Sequence, residues 1–253
     1  MVKLEIPFIV AASLVLCAIA IPTHAELGVD TIATDSGELI IHPISHATFV
    51  MKTRSTTIYV DPVGGGGLFS DFPPPDLILI THIHGDHTSA ETAAAVSTGS
   101  TLVVAPATVA EKLGSSVPGE LKILANGESL DHAGVRVEAI PAYNLTEERL
   151  GFHPEGRDNG YVVTVDGKRI YIAGDTEDIP EMRALEDIDA AFVCMNLPYT
   201  MTVERAADAV LEFAPGIVYP YHYRGKGGMS DLETFGELVA ANPEIEVRHL
   251  TWY

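Results

Sequence analysis

Apolar residues along this chain fall into short runs separated by turn-forming residues, and the period within each run separates strand from helix. Residues 39–42, 47–51 and 56–60 are rich in Leu, Ile, Val, Phe and Tyr. They are broken by Pro43 and by the polar stretch 52–55, which predicts three adjacent antiparallel strands. The run over 76–80 (Asp-Leu-Ile-Leu-Ile) follows Pro73-Pro74-Pro75 and predicts a buried strand. Strand and helix alternate after it: helix 89–96, strand 101–105, helix 107–113, then strands 135–141, 161–165 and 169–173, the last two joined by an Asp166-Gly167 turn. The remainder reads as helix 180–185, strand 190–195, helix 203–213, strand 216–219, helix 232–241 and strand 247–250. No linker or short repeat divides the chain. Two strand-rich halves, each with its own helices, predict an α/β fold of two facing sheets with helices on the outer faces, with residues 26–253 as one domain.

The first residues break this pattern. Lys3 precedes a long apolar run over 6–21 that ends in Pro22-Thr23-His24-Ala25. This is the anatomy of a secretory signal peptide over residues 1–25, although Glu5 offsets Lys3. The expectation is export to a periplasmic or extracellular location with no stable membrane association after the cut; the alternative is a retained anchor formed by 6–21. Intact-mass measurement of protein recovered outside the cytoplasmic membrane is expected to give a chain starting at Glu26, and finding residues 1–25 on that material excludes the cut.

Removing residues 1–25 takes Cys17 with it and leaves Cys194 as the only cysteine, so no intramolecular disulfide is expected. Cys194 lies in an apolar strand pattern, which predicts a buried, inert thiol. The formal net charge of −20, with no Lys/Arg cluster, argues against nucleic acid as a partner and leaves a small molecule as the expected substrate.

Chemistry concentrates where the strand 76–80 gives way to helix 89–96, in the sequence Thr81-His82-Ile83-His84-Gly85-Asp86-His87. The two-residue spacing of His82 and His84 puts both side chains on one side of extended chain, while Asp86 and His87 fall where the chain turns into the helix, so two adjacent metals can share the loop. Two further strand ends carry donors. Ala173-Gly174-Asp175-Thr176 places a carboxylate that can offer its two oxygens to two cations, and Pro220-Tyr221-His222 places an imidazole. Loops on a rigid sheet are where a site with several metals is expected. The glycine run 64–67 lacks the Lys-Ser/Thr of a phosphate cradle and reads as a flexible or close-approaching loop beside the site.

The motifs T-H-I-H-G-D-H, A-G-D-T and P-Y-H-Y together resemble the metallo-beta-lactamase fold superfamily over essentially the whole chain after residue 38. The opening P-I-S-H-A-T-F-V is similar to the strand start of the branch that includes ascorbate-phosphate lactonases and N-acyl phosphatidylethanolamine phospholipases. The resemblance implies a four-layer αββα sandwich of two mixed sheets. It implies His82 and His84 as ligands of a first metal, Asp86, His87 and His222 as ligands of a second, and Asp175 as the bridge. It also implies His46 near the site, and Asp61 of Val60-Asp61-Pro62 holding a ligand histidine from behind. The pattern departs at the third ligand of the first metal. Pro141-Ala142-Tyr143-Asn144 stands where a histidine is usual, which leaves His153, Asn144 or water to complete that metal.

What the resemblance implies chemically is a hydrolase that uses metal-bound hydroxide to cleave a phosphoester, lactone or other ester. Its two divalent ions would be zinc first, manganese or iron otherwise, about 3.5 to 4 Å apart. Asp86 and Asp175 would orient the hydroxide and His46 would contact substrate or protonate the leaving group, with Tyr143, Tyr221 and Tyr223 as candidates for orienting substrate. The alternatives are an amide hydrolase of the beta-lactamase type and an exported metal-binding module without turnover.

Overall fold

The computed structural model describes Met1 and residues 28–253; the signal-peptide reading over 1–25, the alternative anchor over 6–21 and Cys17 lie outside the described residues. The first half of the chain builds one sheet in sequence order, from β1 (Asp30–Ala33), β2 (Glu38–Ser45), β3 (Thr48–Lys52), β4 (Thr57–Val60), β5 (Leu77–Leu79), β6 (Leu102–Ala105) and β7 (Glu120–Ile123), with α1 (Ala90–Val96) and α2 (Ala107–Leu113) between its later strands. The second half builds the other sheet from β8 (Ser129–His132), β9 (Val135–Ala142), β10 (Asp158–Val165), β11 (Lys168–Ile172), β12 (Ala190–Cys194), β13 (Ile217–Tyr221) and, beyond a β14 (Arg224–Gly225) and β15 (Gly228–Met229) hairpin, β16 (Glu246–Val247). Its helices are α3 (Pro180–Arg183), α4 (Val203–Phe213) and α5 (Leu232–Val239).

Both sheets are mixed in the same way. Strands β1 to β4 and β8 to β11 pair antiparallel with their sequence neighbours. The strands that follow, β5 to β7 and then β12, β13 and β16, add in parallel. Parallel strands need crossover connections, most of which here are helices lying on the outer faces, and this is the physical reason for a four-layer sandwich.

Alternation within the strands shows how each sheet is buried twice. In β5 and the residue after it, Leu77 and Leu79 join the core between the sheets, whereas Ile78 and Ile80 pack with Val109 and Leu113 of α2. A strand covered on both faces reads as an unbroken apolar run, as 76–80 does. In the second sheet, Ile170 and Ile172 are buried with the central core and Tyr171, between them, meets Phe213 of α4 with ring centroids 6.0 Å apart. The centre is aromatic: Phe192 of β12 stacks on Phe49 of β3 at 4.3 Å and on Tyr219 of β13 at 4.9 Å. Phe192→Ala would open a cavity between the sheets, and a loss of roughly 3 to 5 kcal/mol in denaturant unfolding is expected.

The strands missing from the sequence reading are β1, β7, β8 and the β14–β15 hairpin. The first three are sheet-edge or near-edge strands with polar, partly exposed faces, and β7 (Glu-Leu-Lys-Ile) has no fully buried residue. Burial patterning is absent where a strand is not buried. Strand 216–219 extends to Tyr221, and 247–250 is reduced to Glu246–Val247. The glycine run is corrected too: Gly66–Phe69 forms a 3-10 turn against α1, where Gly65 N–H donates to Thr92 Oγ1 at 3.0 Å, and it does not line the site. Cys194 is free and fully buried, and burial pushes its thiol well up. Among the described residues no helix is long and apolar enough to cross a membrane.

Candidate metal centre

Five strand ends meet at one edge of the sandwich. Asp61 follows β4, His82 to His87 follow β5, Asp175 follows β11, Asn196 follows β12 and His222 follows β13. In α/β sheets the crevice outside the carboxyl ends of parallel strands is where ligands bind, because side chains and loops there converge without interrupting the ladder. His46 joins them from the turn between β2 and β3. The two sheets are pinned together beside this edge: His222 N–H donates to His46 O at 3.3 Å, Asn159 N–H to Thr81 O at 2.9 Å and Tyr161 O–H to Ile80 O at 2.8 Å.

The backbone here is held away from its ordinary conformations. His46, Asp61 and His222 have φ of 57°, 43° and 44° without being glycine. Left-handed non-glycine residues cost free energy and persist where packing over-determines them, so three at one edge mark side chains aimed by the surrounding fold. Gly174, at φ 64°, makes the sharp turn that points Asp175 inward.

Donor atoms gather in three groups, the first two sharing His82: His82, His84 and His153; His82, His87 and Asp175; and His46, Asp86 and His222. Within each group one donor per residue lies within 4.8 Å of the others. Asp175 is central. Its Oδ1 is 3.4 Å from both His87 Nε2 and His222 Nε2, and its Oδ2 is 3.5 Å from His153 Nε2. His153 Nε2 is 3.2 Å from His84 Nδ1, and Asp86 Oδ2 is 3.3 Å from His222 Nε2. His82 Nε2, His87 Nε2 and Asp175 Oδ1 are buried without a hydrogen-bond partner. Buried polar atoms are ordinarily satisfied, so orphaned nitrogens and an oxygen converging on one space fit a divalent cation, and imidazole with carboxylate suits zinc.

The supporting contacts fix ring orientation. Asp61 Oδ2 lies 2.7 Å from His87 Nδ1 and also accepts from Thr81 Oγ1 at 2.7 Å, while its Oδ1 accepts from Thr81 N–H at 2.7 Å. This holds the proton of His87 on Nδ1 and turns Nε2 to the centre. His153 Nδ1 is 3.2 Å from Tyr199 O, the same arrangement with a backbone carbonyl as acceptor. Asn144 meets His153 through its amide nitrogen, and its Oδ1 is buried without a hydrogen-bond partner. Its Nδ2 donates to Arg149 O at 2.9 Å and to Tyr199 O at 2.8 Å and lies 3.3 Å from His153 Nδ1, so it stands behind His153. Asp61→Asn is expected to weaken metal binding at His87 by about 10 to 100-fold, which dialysis against metal chelators would measure.

The titration of the cluster divides in two. Burial holds His82 well below the usual imidazole value, lowers His84, and lowers His153 to about 4. For His87 and His222 burial works in the same direction, but the Asp175 carboxylate, with Asp61 beside His87, outweighs it and raises both. Burial opposes the charge of Asp175, yet His222 and His87 overcome that and hold it well below the usual carboxylate range. A metal must displace protons from His87 and His222 and none from His82, His84 and His153. The expected result is metal uptake with proton release on the His87 and His222 side, its affinity falling as pH is lowered and levelling off once pH exceeds their raised values. Uptake beside His82, His84 and His153 should be flat across neutral pH. Calorimetric titration in two buffers of different ionisation enthalpy checks both.

Sequence reasoning missed Asn196, although its position two residues beyond the end of a buried strand resembles that of His222, one residue beyond its own. Its Oδ1 accepts from Thr200 Oγ1 at 2.5 Å, which leaves Nδ2 facing Asp175 Oδ2 at 3.3 Å and His222 Nε2 at 3.2 Å. The three tyrosines named as substrate contacts do not line the cleft: Tyr143 donates to Glu181 at 3.1 Å, Tyr221 to Gly174 O at 3.2 Å, and Tyr223 packs on Tyr253. Phe152 and Tyr199 line it instead.

The family model described as beta-lactamase superfamily domain matches residues 41–222. A metal-dependent hydrolase of Thermococcus onnurineus is 33% identical over 211 residues, covering 80% of this chain and 92% of the relative. The crystal structure of a presumed metal-dependent hydrolase from Parabacteroides distasonis is 41% identical, with a TM-score of 0.80 over 89% of this chain and 99% of that one. A metallo hydrolase from Ignicoccus hospitalis, 21% identical, superposes with a TM-score of 0.70 over 85% of this chain and 95% of its own, a likeness of fold.

Proposed function

The chain belongs to the beta-lactamase superfamily domain family, and from that membership we propose that it is a dinuclear metal-dependent hydrolase acting on a phosphoester, lactone or other ester of a small molecule. The observation that carries this reading is the convergence of His82 Nε2, His87 Nε2 and Asp175 Oδ1, all buried without a hydrogen-bond partner, with His222 Nε2 3.4 Å from the same oxygen. His82, His84 and His153 would hold one ion, Asp86, His87 and His222 the other, with Asp175 shared. When bound, such ions would lower the pKa of water and polarise the bond under attack.

The chain's own residues supply orientation. Asp86 lies in the cleft with its side chain 44% exposed; burial opposes its charge, but the His222 hydrogen bond and His87 hold the carboxylate well down, so it stays an acceptor at working pH and can orient water. His46 is lowered to about 4 by burial, by His222 and by Arg224, and its Nε2 is 3.2 Å from Arg224 Nη2. A neutral His46 in that geometry is a substrate contact or an anchor for Arg224 better than a reservoir of protons. The Asn196 amide, fixed by Thr200, can donate to an oxygen that gains charge during attack. Zinc, with manganese or iron as alternatives, is the proposed metal.

Elemental analysis of protein purified without added metal is expected to approach two equivalents, with turnover of an ester, lactone or phosphodiester panel lost on chelation and restored by zinc. No metal bound after zinc reconstitution would reject the reading. Full occupancy without hydrolysis of any ester, phosphodiester or lactam would favour a metal-binding module instead.

A further inference from the structure

The cleft beside the metal centre has a volume of about 470 Å³, within the range that encloses a small molecule. One side is formed by the donor cluster and another by Arg224 and Lys226 of the β14–β15 hairpin and its turn. The chain has 35 acidic residues against 15 basic ones, and Arg149, Arg157, Arg183, Arg205 and Arg248 are all paired with carboxylates. Among the described residues neither Arg224 nor Lys226 has a carboxylate within ion-pair distance. Two cations without an ion pair, at a cleft large enough for a small molecule, are open to an anionic ligand.

The hairpin is fixed. Lys226 N–H donates to Leu197 O at 3.0 Å and Ser230 N–H to Tyr223 O at 2.8 Å, and a Cβ at Gly225 would collide with the Leu197 carbonyl. Only glycine allows the hairpin to approach the loop carrying Asn196 and Tyr199 so closely. The Arg224 guanidinium lies 4.7 Å over the Tyr253 ring, and its Nη2 donates to His46 Nε2. His46 is held in turn by Tyr253 Oη at 2.8 Å from Nδ1, and its ring is 4.8 Å from that of His222. The guanidinium is thereby placed against His46 at the rim of the donor groups, with most of its five N–H donors uncommitted. Phe152 and Tyr199, in edge contact at 5.2 Å, give the same cleft an apolar wall.

We propose that the cleft selects small substrates bearing a carboxylate or phosphate group near the bond to be cleaved, and that Arg224, assisted by Lys226, recognises that group. Planar bidentate recognition of an oxyanion is what a guanidinium anchored at one edge does best. The net charge of −20 repels polyanions at long range, which confines the preference to molecules small enough to enter. The inference rests on the hydrolase reading for the reaction and stands apart from it for binding.

The experiment has two arms on the full chain purified as expressed. Turnover is compared for 4-nitrophenyl hydrogen glutarate and its neutral counterpart 4-nitrophenyl pentanoate. Binding of glutarate, methylphosphonate and neutral glutaramide is measured by calorimetry. Wild type is expected to prefer the glutarate ester and to bind at least one anion more tightly than glutaramide. Arg224→Gln, at an exposed position and with thermal melting as the check on folding, should cut both preferences by about 10 to 100-fold. Equal treatment of charged and neutral probes, or preferences unchanged in Arg224→Gln and in Arg224→Gln/Lys226→Gln, overturns the proposal. Tighter anion binding that Arg224→Gln removes, with neither ester cleaved, upholds the anion site and leaves the hydrolase reading to the ester, lactone and phosphodiester panel; equal cleavage of both esters without an anion preference upholds hydrolysis and overturns the anion site.

Discussion

Asp175→Asn is expected to remove tight binding at both proposed metal positions and to lower hydrolysis by more than about 100-fold, the upper end of what losing a supporting contact behind a ligand costs. The reason lies in its position: one carboxylate faces His87 and His222 through Oδ1 and His153 through Oδ2. Asparagine keeps the shape but offers one neutral oxygen, so it can serve one ion weakly and cannot bridge two. The metal-free protein should respond as well. Asp175 is the largest of the charges that raise His87 and His222, with Asp61 beside His87 and Asp86 beside His222 as the others, and without it burial should lower both imidazoles. Elemental analysis reads the first effect and proton NMR titration of the two imidazoles the second. Two tightly bound equivalents of zinc in the variant would remove Asp175 from the bridging role.

The contrast between Asp175 and His153 also separates what the sequence carried from what it did not. His82, His84, Asp86 and His87 are legible because one loop of seven residues holds them, so local geometry alone brings them together. Asp175 and His222 are legible because each follows a strand buried on both faces, and such strands announce themselves as apolar runs. The two-sheet architecture followed from the same runs. Its polar edge strands did not, since nothing in Ser129–His132 distinguishes a half-exposed strand from a loop. Arg224 and Lys226 were invisible for another reason: their meaning depends on which carboxylates do not reach them, a property of the whole surface. Asn196 could have been found by asking of β12 the question asked of β11 and β13.

His153→Ala is expected to lower metal occupancy beside His82 and His84 and to lower hydrolysis with it, whereas Asn144→Ala should keep the metal and lose about 10 to 100-fold in activity or affinity. Sequence spacing left the two residues as rivals because the choice depends on how the loop from 144 to 153 closes. Contacts far along the chain decide that closure. The Glu177 carboxylate, fully buried, accepts from Leu145 N–H at 2.8 Å and Thr146 N–H at 2.7 Å and pairs with Arg149 at 2.6 Å. Asn144 N–H then donates to His153 O at 2.8 Å, folding the loop back on itself so that the imidazole faces His84 and the Asn144 amide is left behind it. Removing the imidazole deletes a donor; removing the amide deletes hydrogen bonds to Arg149 O and Tyr199 O and loosens the loop that aims the donor. Glu177→Gln extends the test, since it leaves both residues intact and weakens only the clamp on the loop, and it should resemble Asn144→Ala. Metal content and turnover measured together on the three variants distinguish the roles. Full zinc occupancy in His153→Ala with loss in Asn144→Ala would reverse the assignment, and full occupancy in both would hand that coordination position to water.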